Sequence, residues 1–244
     1  LETSTKPLGT SADALVLGVR HDGELAVPSD VKAGVRRRLT ALAERARVSG
    51  GLDRVLVVPA PDEVDARSVV FTGLGRGEDD ERGENLRQAA GAAARTLRGA
   101  AETAVFALPV ASETEVQAVA EGIGLGAFNY VTQKSRTASE ADVPLSAATV
   151  VVPKNLGKTA KDAVIRAAHV ARAVRLTRTL VDLSPDTATP EFVAAVATTA
   201  AKGTKVSVEV LAEKELTRGG YGGLLGVGQG LSLIHISEPT RRYA

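Results

Sequence analysis

The sequence contains no cysteine, which excludes a disulfide framework, a thiolate metal site and a thiol nucleophile together. That fits a reducing cytoplasm, the expected location. Methionine is absent as well, including at position 1, as expected of a chain whose natural start lies upstream. No apolar run approaches the ~20 residues a helix needs to cross a bilayer, so no membrane span is expected. Residues 1–10 lack the basic stretch followed by an apolar one that marks a secretory leader. Neither sign of charge dominates, with 30 Lys and Arg against 29 Asp and Glu. Such balance argues against a strong global pull toward nucleic acid or anionic lipid.

What is present is ordinary for a globular chain of one or two domains: 244 residues, 44% hydrophobic and 24% charged. Short apolar runs alternate with helical patterns, the mark of an α/β fold. Strands are expected at 14–19, 55–58, 68–72, 104–108 and 149–152. Helices are expected between them at 31–48, with Asp30 as N-cap, at 85–97 and at 113–130. Together these make one unit over residues 1–155. A long helix at 160–181, within a connecting segment 156–183, leads out of it. Ser184-Pro185 ends that helix, because the residue before proline is driven from helical angles. Thr189-Pro190-Glu191 starts another with a cap, a proline at the first helical position and an acid at the positive dipole end. A strand at 206–210, a short helix at 213–217 and a glycine cluster at 219–230 complete residues 184–230.

Chemistry-bearing motifs are few. Gly157-Lys158-Thr159 lies between a strand and a helix, but a phosphate loop needs a glycine where this chain has Val152. Gly122, Gly124 and Gly126 fall inside a helical pattern, where close helix packing explains them. Gly73-Leu74-Gly75-Arg76-Gly77 follows a strand and is either a plain turn or a set of N–H groups for an anion. His21, His169 and His235 have no metal-ligand spacing. Asp79-Asp80-Glu81 reads as a solvated turn before a helix. Arg172, Arg175 and Arg178 recur on one helix face and read as solvated. Spacing thus assigns no catalytic, cofactor-binding or metal residue.

Three segments resemble the leucyl aminopeptidase (cytosol aminopeptidase) family. The first runs from Ala120-Glu121-Gly122 to Lys134-Ser135. The second runs from Thr177-Arg178-Thr179-Leu180-Val181-Asp182 to Ala188-Thr189-Pro190-Glu191-Phe192, with Asp182 and Asp186 where asparagine is commoner. The third runs from Glu213-Lys214-Glu215-Leu216 to Gly222-Gly223-Leu224-Leu225-Gly226-Val227-Gly228-Gln229-Gly230. The resemblance implies an N-terminal mixed α/β (macro-like) domain, a connecting helix and the start of a C-terminal α/β catalytic domain. It also implies a hexamer that removes N-terminal residues from peptides with two divalent ions, manganese or zinc. The ligands belong to a G-K-G-x-T-F-D-S-G-G-like segment and an N-T-D-A-E-G-R-like segment. Neither occurs in these 244 residues, so this chain is expected to bind no metal and to be inactive alone.

After Gly230 the resemblance stops. Residues 231–244 read as translated adapter sequence rather than protein, against the plainer reading of a short strand with a basic tail. Two other functional readings stay open. Arg36-Arg37-Arg38 with Arg45 and Arg47 could touch DNA phosphates, which the near-neutral charge disfavours. Alternatively, the first domain serves mainly to shape the oligomer.

Overall fold

The computed structural model describes residues 1–6, 11–28, 30–76, 81–133 and 143–229. Two compact units divide after Leu176. The first contains β1 (Glu2–Ser4), β2 (Ala12–Val19), β3 (Leu25–Ala26), α1 (Ala33–Arg45), β4 (Val55–Pro59) and β5 (Ala66–Gly73). It continues with α2 (Arg82–Thr96), β6 (Thr103–Ala107), α3 (Glu113–Gly126), β7 (Ala147–Val151) and a 3-10 turn at Lys154–Leu156. A long helix, α4 (Gly157–Asp182), begins in this unit. The strands form one sheet in the order β1-β7-β6-β2-β5-β4, with β3 on β2. Pairings from β1 to β5 along this path are parallel, and β4 runs antiparallel at the edge.

Successive strand residues face opposite sides of the sheet, and here both sides are covered. Ala14, Val16, Val70, Phe106 and Val150 point into one apolar layer with residues of α2, α3 and α4. Leu15, Leu17, Val19, Phe71 and Val105 point into the other, with Leu39 and Ala43 of α1. Burial on both faces is why the strands read as continuous apolar runs rather than as alternation.

The in-helix glycines are packing devices. A Cβ at Gly122 of α3 would fall on the Arg87 carbonyl of α2, and one at Gly126 on the Gly91 carbonyl. A Cβ at Gly124 would come within 2.5 Å of Ala171 Cβ on α4. Polar groups flank the same seam: Glu121, 8% exposed, accepts from Arg87 at 3.1 Å and Gln117 at 2.8 Å. At the other end of the strands Asp13 ties β2 to β6. Its carboxylate accepts the N–H groups of Thr103 and Glu102, each at 2.9 Å, and an Arg67 N–H at 2.6 Å.

The expected Asp30 N-cap is incorrect. Helix α1 starts at Ala33 behind Lys32, with no side-chain cap. Val31 instead turns inward, 6% exposed, and its N–H closes a turn onto the Pro28 carbonyl at 3.2 Å. At the other end Val48 N–H bonds to the Ala43 carbonyl and Arg47 N–H to the Glu44 carbonyl, a Schellman motif. Arg47 therefore takes the left-handed position, φ 50°, that glycine usually fills.

The second unit contains the end of α4, then α5 (Pro190–Ala201), α6 (Glu213–Arg218) and α7 (Gly222–Gln229). The start of α5 is as expected, since Thr189 Oγ1 accepts the Phe192 N–H at 3.3 Å and Pro190 follows it. One expectation is overturned. Residues 206–210 form no strand, because no described strand of this unit stands beside them to complete a ladder. The glycine cluster is largely helical, as α7. Neither α5 nor α6 has a buried residue.

Candidate functional site

The parallel strands of the first unit all end at one edge of the sheet. From β2 the chain leads toward β5 on one side, and from β6 it leads to β7 on the other. Connections that diverge from neighbouring strands leave a crevice between them, where open α/β sheets commonly seat ligands. Two cavities lie at this edge and share Arg20 and Pro109 as lining residues. The first, about 370 Å³, is bounded by the turns after β2 and β5 and by the first turns of α2. The second, about 590 Å³, is bounded by Leu25, Val27, Leu108, Val110 and Val151 among others.

Several interactions set the shape of the first cavity. Leu74 N–H bonds to the Val19 carbonyl and Gly75 N–H to the Gly50 carbonyl, both at 2.8 Å. With Gly75 at φ 69°, the turn after β5 crosses close to that after β2. Asn85, 6% exposed, donates to the Arg76 carbonyl at 3.1 Å. Arg76 Nε donates to His21 Nε2 at 3.0 Å. Arg82 is braced by Glu115 and by the Pro109 carbonyl, each at 2.7 Å.

The motifs singled out in the sequence distribute as follows. Residues 73–76 form the turn just described, and their bonded N–H groups are used internally; Gly77 lies outside the described residues, as do Asp79, Asp80 and His235. Glu81 precedes α2 without capping it. Lys158 and Thr159 belong to the first turn of α4, where Thr159 bonds to the Leu156 carbonyl at 2.8 Å, so no phosphate loop forms. His169 is exposed on α4, as are Arg172, Arg175 and Arg178. Arg36 donates to the Pro28 carbonyl and Arg38 pairs with Glu63 at 3.1 Å, which commits part of the arginine triplet within the fold. Among the described residues no group of three or more His, Asp or Glu could hold a metal ion. The described donors therefore do not fit a two-metal centre. Among them, too, no helix is long and apolar enough to cross a membrane.

Comparison with known proteins accounts for the order of the two units. The family model described as "Cytosol aminopeptidase family, N-terminal domain" matches residues 16–137. That of the same family's catalytic domain matches residues 175–238. The chain is 40% identical to a probable cytosol aminopeptidase of Streptomyces avermitilis, over 91% of this chain and 46% of that protein. It is also 40% identical to one of Streptomyces coelicolor, over 94% and 48%. The chain thus spans about half the length of these curated relatives. Among solved structures, the bottromycin maturation enzyme BotP matches with TM-score 0.63 and 26% identity over 90% of this chain and 44% of that one. A tomato leucine aminopeptidase variant has TM-score 0.64 at 20% identity, over 82% and 41%, a likeness of fold. By these matches, in this order along the sequence, the chain belongs to the cytosol aminopeptidase family.

Proposed function

We propose that these residues are the N-terminal domain, connecting helix and opening segment of the catalytic domain of a metal-dependent leucyl aminopeptidase. The observation that carries the reading is the succession of the two family regions along one chain, 16–137 and then 175–238. The complete enzyme removes N-terminal residues from peptides in the cytoplasm, as a hexamer. Two divalent ions would supply the activated water and polarise the scissile carbonyl. Support for divalent metal comes from the similar BotP, solved in complex with Mn, at 25% identity and TM-score 0.54. The metal-holding side chains lie in the lysine- and aspartate-bearing family segments that these 244 residues do not contain. What this chain supplies is a folded first domain, the connecting helix and the opening α5–α7 segment of the catalytic domain. Alone it is inactive.

The test compares the product of the gene read beyond the codon for Gly230 with the 244-residue chain, both assayed on leucine anilide with manganese. Hydrolysis by the longer protein, abolished by a chelator and absent from the shorter one, is expected. Metal-dependent turnover by the short chain, or none by either, would overturn the reading.

A further inference from the structure

The crevice at the strand ends is not used by the peptidase reading, and its side chains have a chemistry of their own. Of the three arginines around the first cavity, Arg82 is neutralised by Glu115 at 2.7 Å and held in place. Among the described residues the one ion pair of Arg20 is a long contact to Glu24, 3.7 Å, with both side chains largely exposed, so its charge is weakly compensated. Arg76 donates to the His21 Nε2 nitrogen and makes no ion pair among the described residues. Among the described residues Asp22 is the one carboxylate lining this cavity. Two guanidinium groups with weakly compensated charge thus border one concavity, and Leu74, Leu86 and Pro109 supply apolar wall. The adjoining cavity, which shares Arg20, extends the space and is lined by apolar residues together with Thr5, Glu24, Asp30, Arg36 and Lys154. Both volumes lie within the ~300–1,000 Å³ typical of small-molecule sites.

We propose that this crevice binds a small phosphate-bearing molecule, its phosphoryl group held by Arg20 and Arg76 and its organic part lying along the second cavity, whose walls are both polar and apolar. A phosphoryl group has three terminal oxygens, enough to serve two planar forks at once, whereas a monocarboxylate has two. The turn that carries Arg76 is pinned by Asn85 and by the Gly75 bond to Gly50, so this side of the site is preorganised. The proposal stands apart from the peptidase reading, since no catalytic segment enters it.

The experiment is calorimetric titration of the chain with AMP, glucose 6-phosphate and inorganic phosphate, with adenosine as the uncharged control. Binding of at least one organic phosphate with a dissociation constant below about 1 mM is expected. Arg20→Gln and Arg76→Gln should each weaken it about tenfold or more, with circular dichroism unchanged. Arg95→Gln, at the far end of α2, should leave it unaltered. If Arg76→Gln unfolds, Arg76→Lys, which keeps the charge but loses the fork, should still weaken binding. Adenosine binding as tightly as AMP, equal weakening by Arg95→Gln, or no binding of any phosphate would each overturn the proposal. Binding of inorganic phosphate as tight as that of the organic phosphates would overturn the role given to the second cavity.

Discussion

Thr103–Ala107 and residues 206–210 carry similar strand signals, Thr-Ala-Val-Phe-Ala and Val-Ser-Val-Glu-Val, yet only the first becomes a strand. β6 is paired on both sides, with β2 on one and β7 on the other, and Phe106 is fully buried. At 206–210 no described strand stands alongside, and Val206, Val208 and Val210 are 67%, 39% and 55% exposed. Strand propensity is a statement about fitting a pleated, half-buried surface, so the same residue types give different outcomes in different surroundings. The first unit provides that surface within itself.

The sharpest way to test the contrast is a pair of truncations. Phe106→Ala should destabilise the first unit by about 3–5 kcal/mol, because it leaves a cavity between the sheet and the helices. Val208→Ala should change urea unfolding by less than ~0.5 kcal/mol, as expected of an exposed site. A large loss from Val208→Ala would mean that 206–210 is paired in solution, and the contrast would fail. Next in size, Gly122→Ala should cost about 1–3 kcal/mol by forcing α3 away from the Arg87 carbonyl, read as a lowered midpoint. Gly223→Ala, where an added methyl meets nothing within 4 Å, should not.

Acid should act on the first unit through Asp13. The N–H groups of Thr103 and Glu102, and then Arg67, hold its carboxyl below the ordinary 3.8, against an opposing effect of burial. A carboxylate with a lowered folded pKa stabilises above its unfolded value and loses that contribution as pH falls through the folded one. The contribution is therefore whole above about pH 4 and fades below it. Asp13→Asn should flatten that part of the stability–pH curve, and an unchanged acid limb would refute it. The smallest effect is a gain. Arg47→Gly relieves the left-handed backbone at the end of α1 and should raise stability by up to ~1 kcal/mol.

Most of this architecture could be read from local pattern. The central strands were visible as apolar runs, and the cap at Thr189 and the packing role of Gly122, Gly124 and Gly126 followed from position alone. Features made by distant partners were not. The three residues of β1 acquire their conformation from β7, and β3 consists of two residues held on β2. Asp13 meets groups 54 to 90 positions away, so no spacing rule marks it. The crevice likewise gathers the turns after several strands. Arg20, Arg76 and Asn85 look like scattered polar residues until the sheet order brings them together. The helix at Gly222–Gln229 had no signal in the sequence, because glycine usually interrupts helices.

The glycine seam bears on how the crevice could move. With backbone against backbone and no side chain between them, α2 and α3 cannot slide past one another without parting, and Gly124 against Ala171 adds α4 to the same slab. The cavity wall built from the start of α2 is therefore stiff. The facing wall, residues 20–28, is a hairpin held by the two-residue strand β3. Whatever adjustment an occupant requires falls to that hairpin, which makes the crevice a vise with one fixed jaw and one that gives.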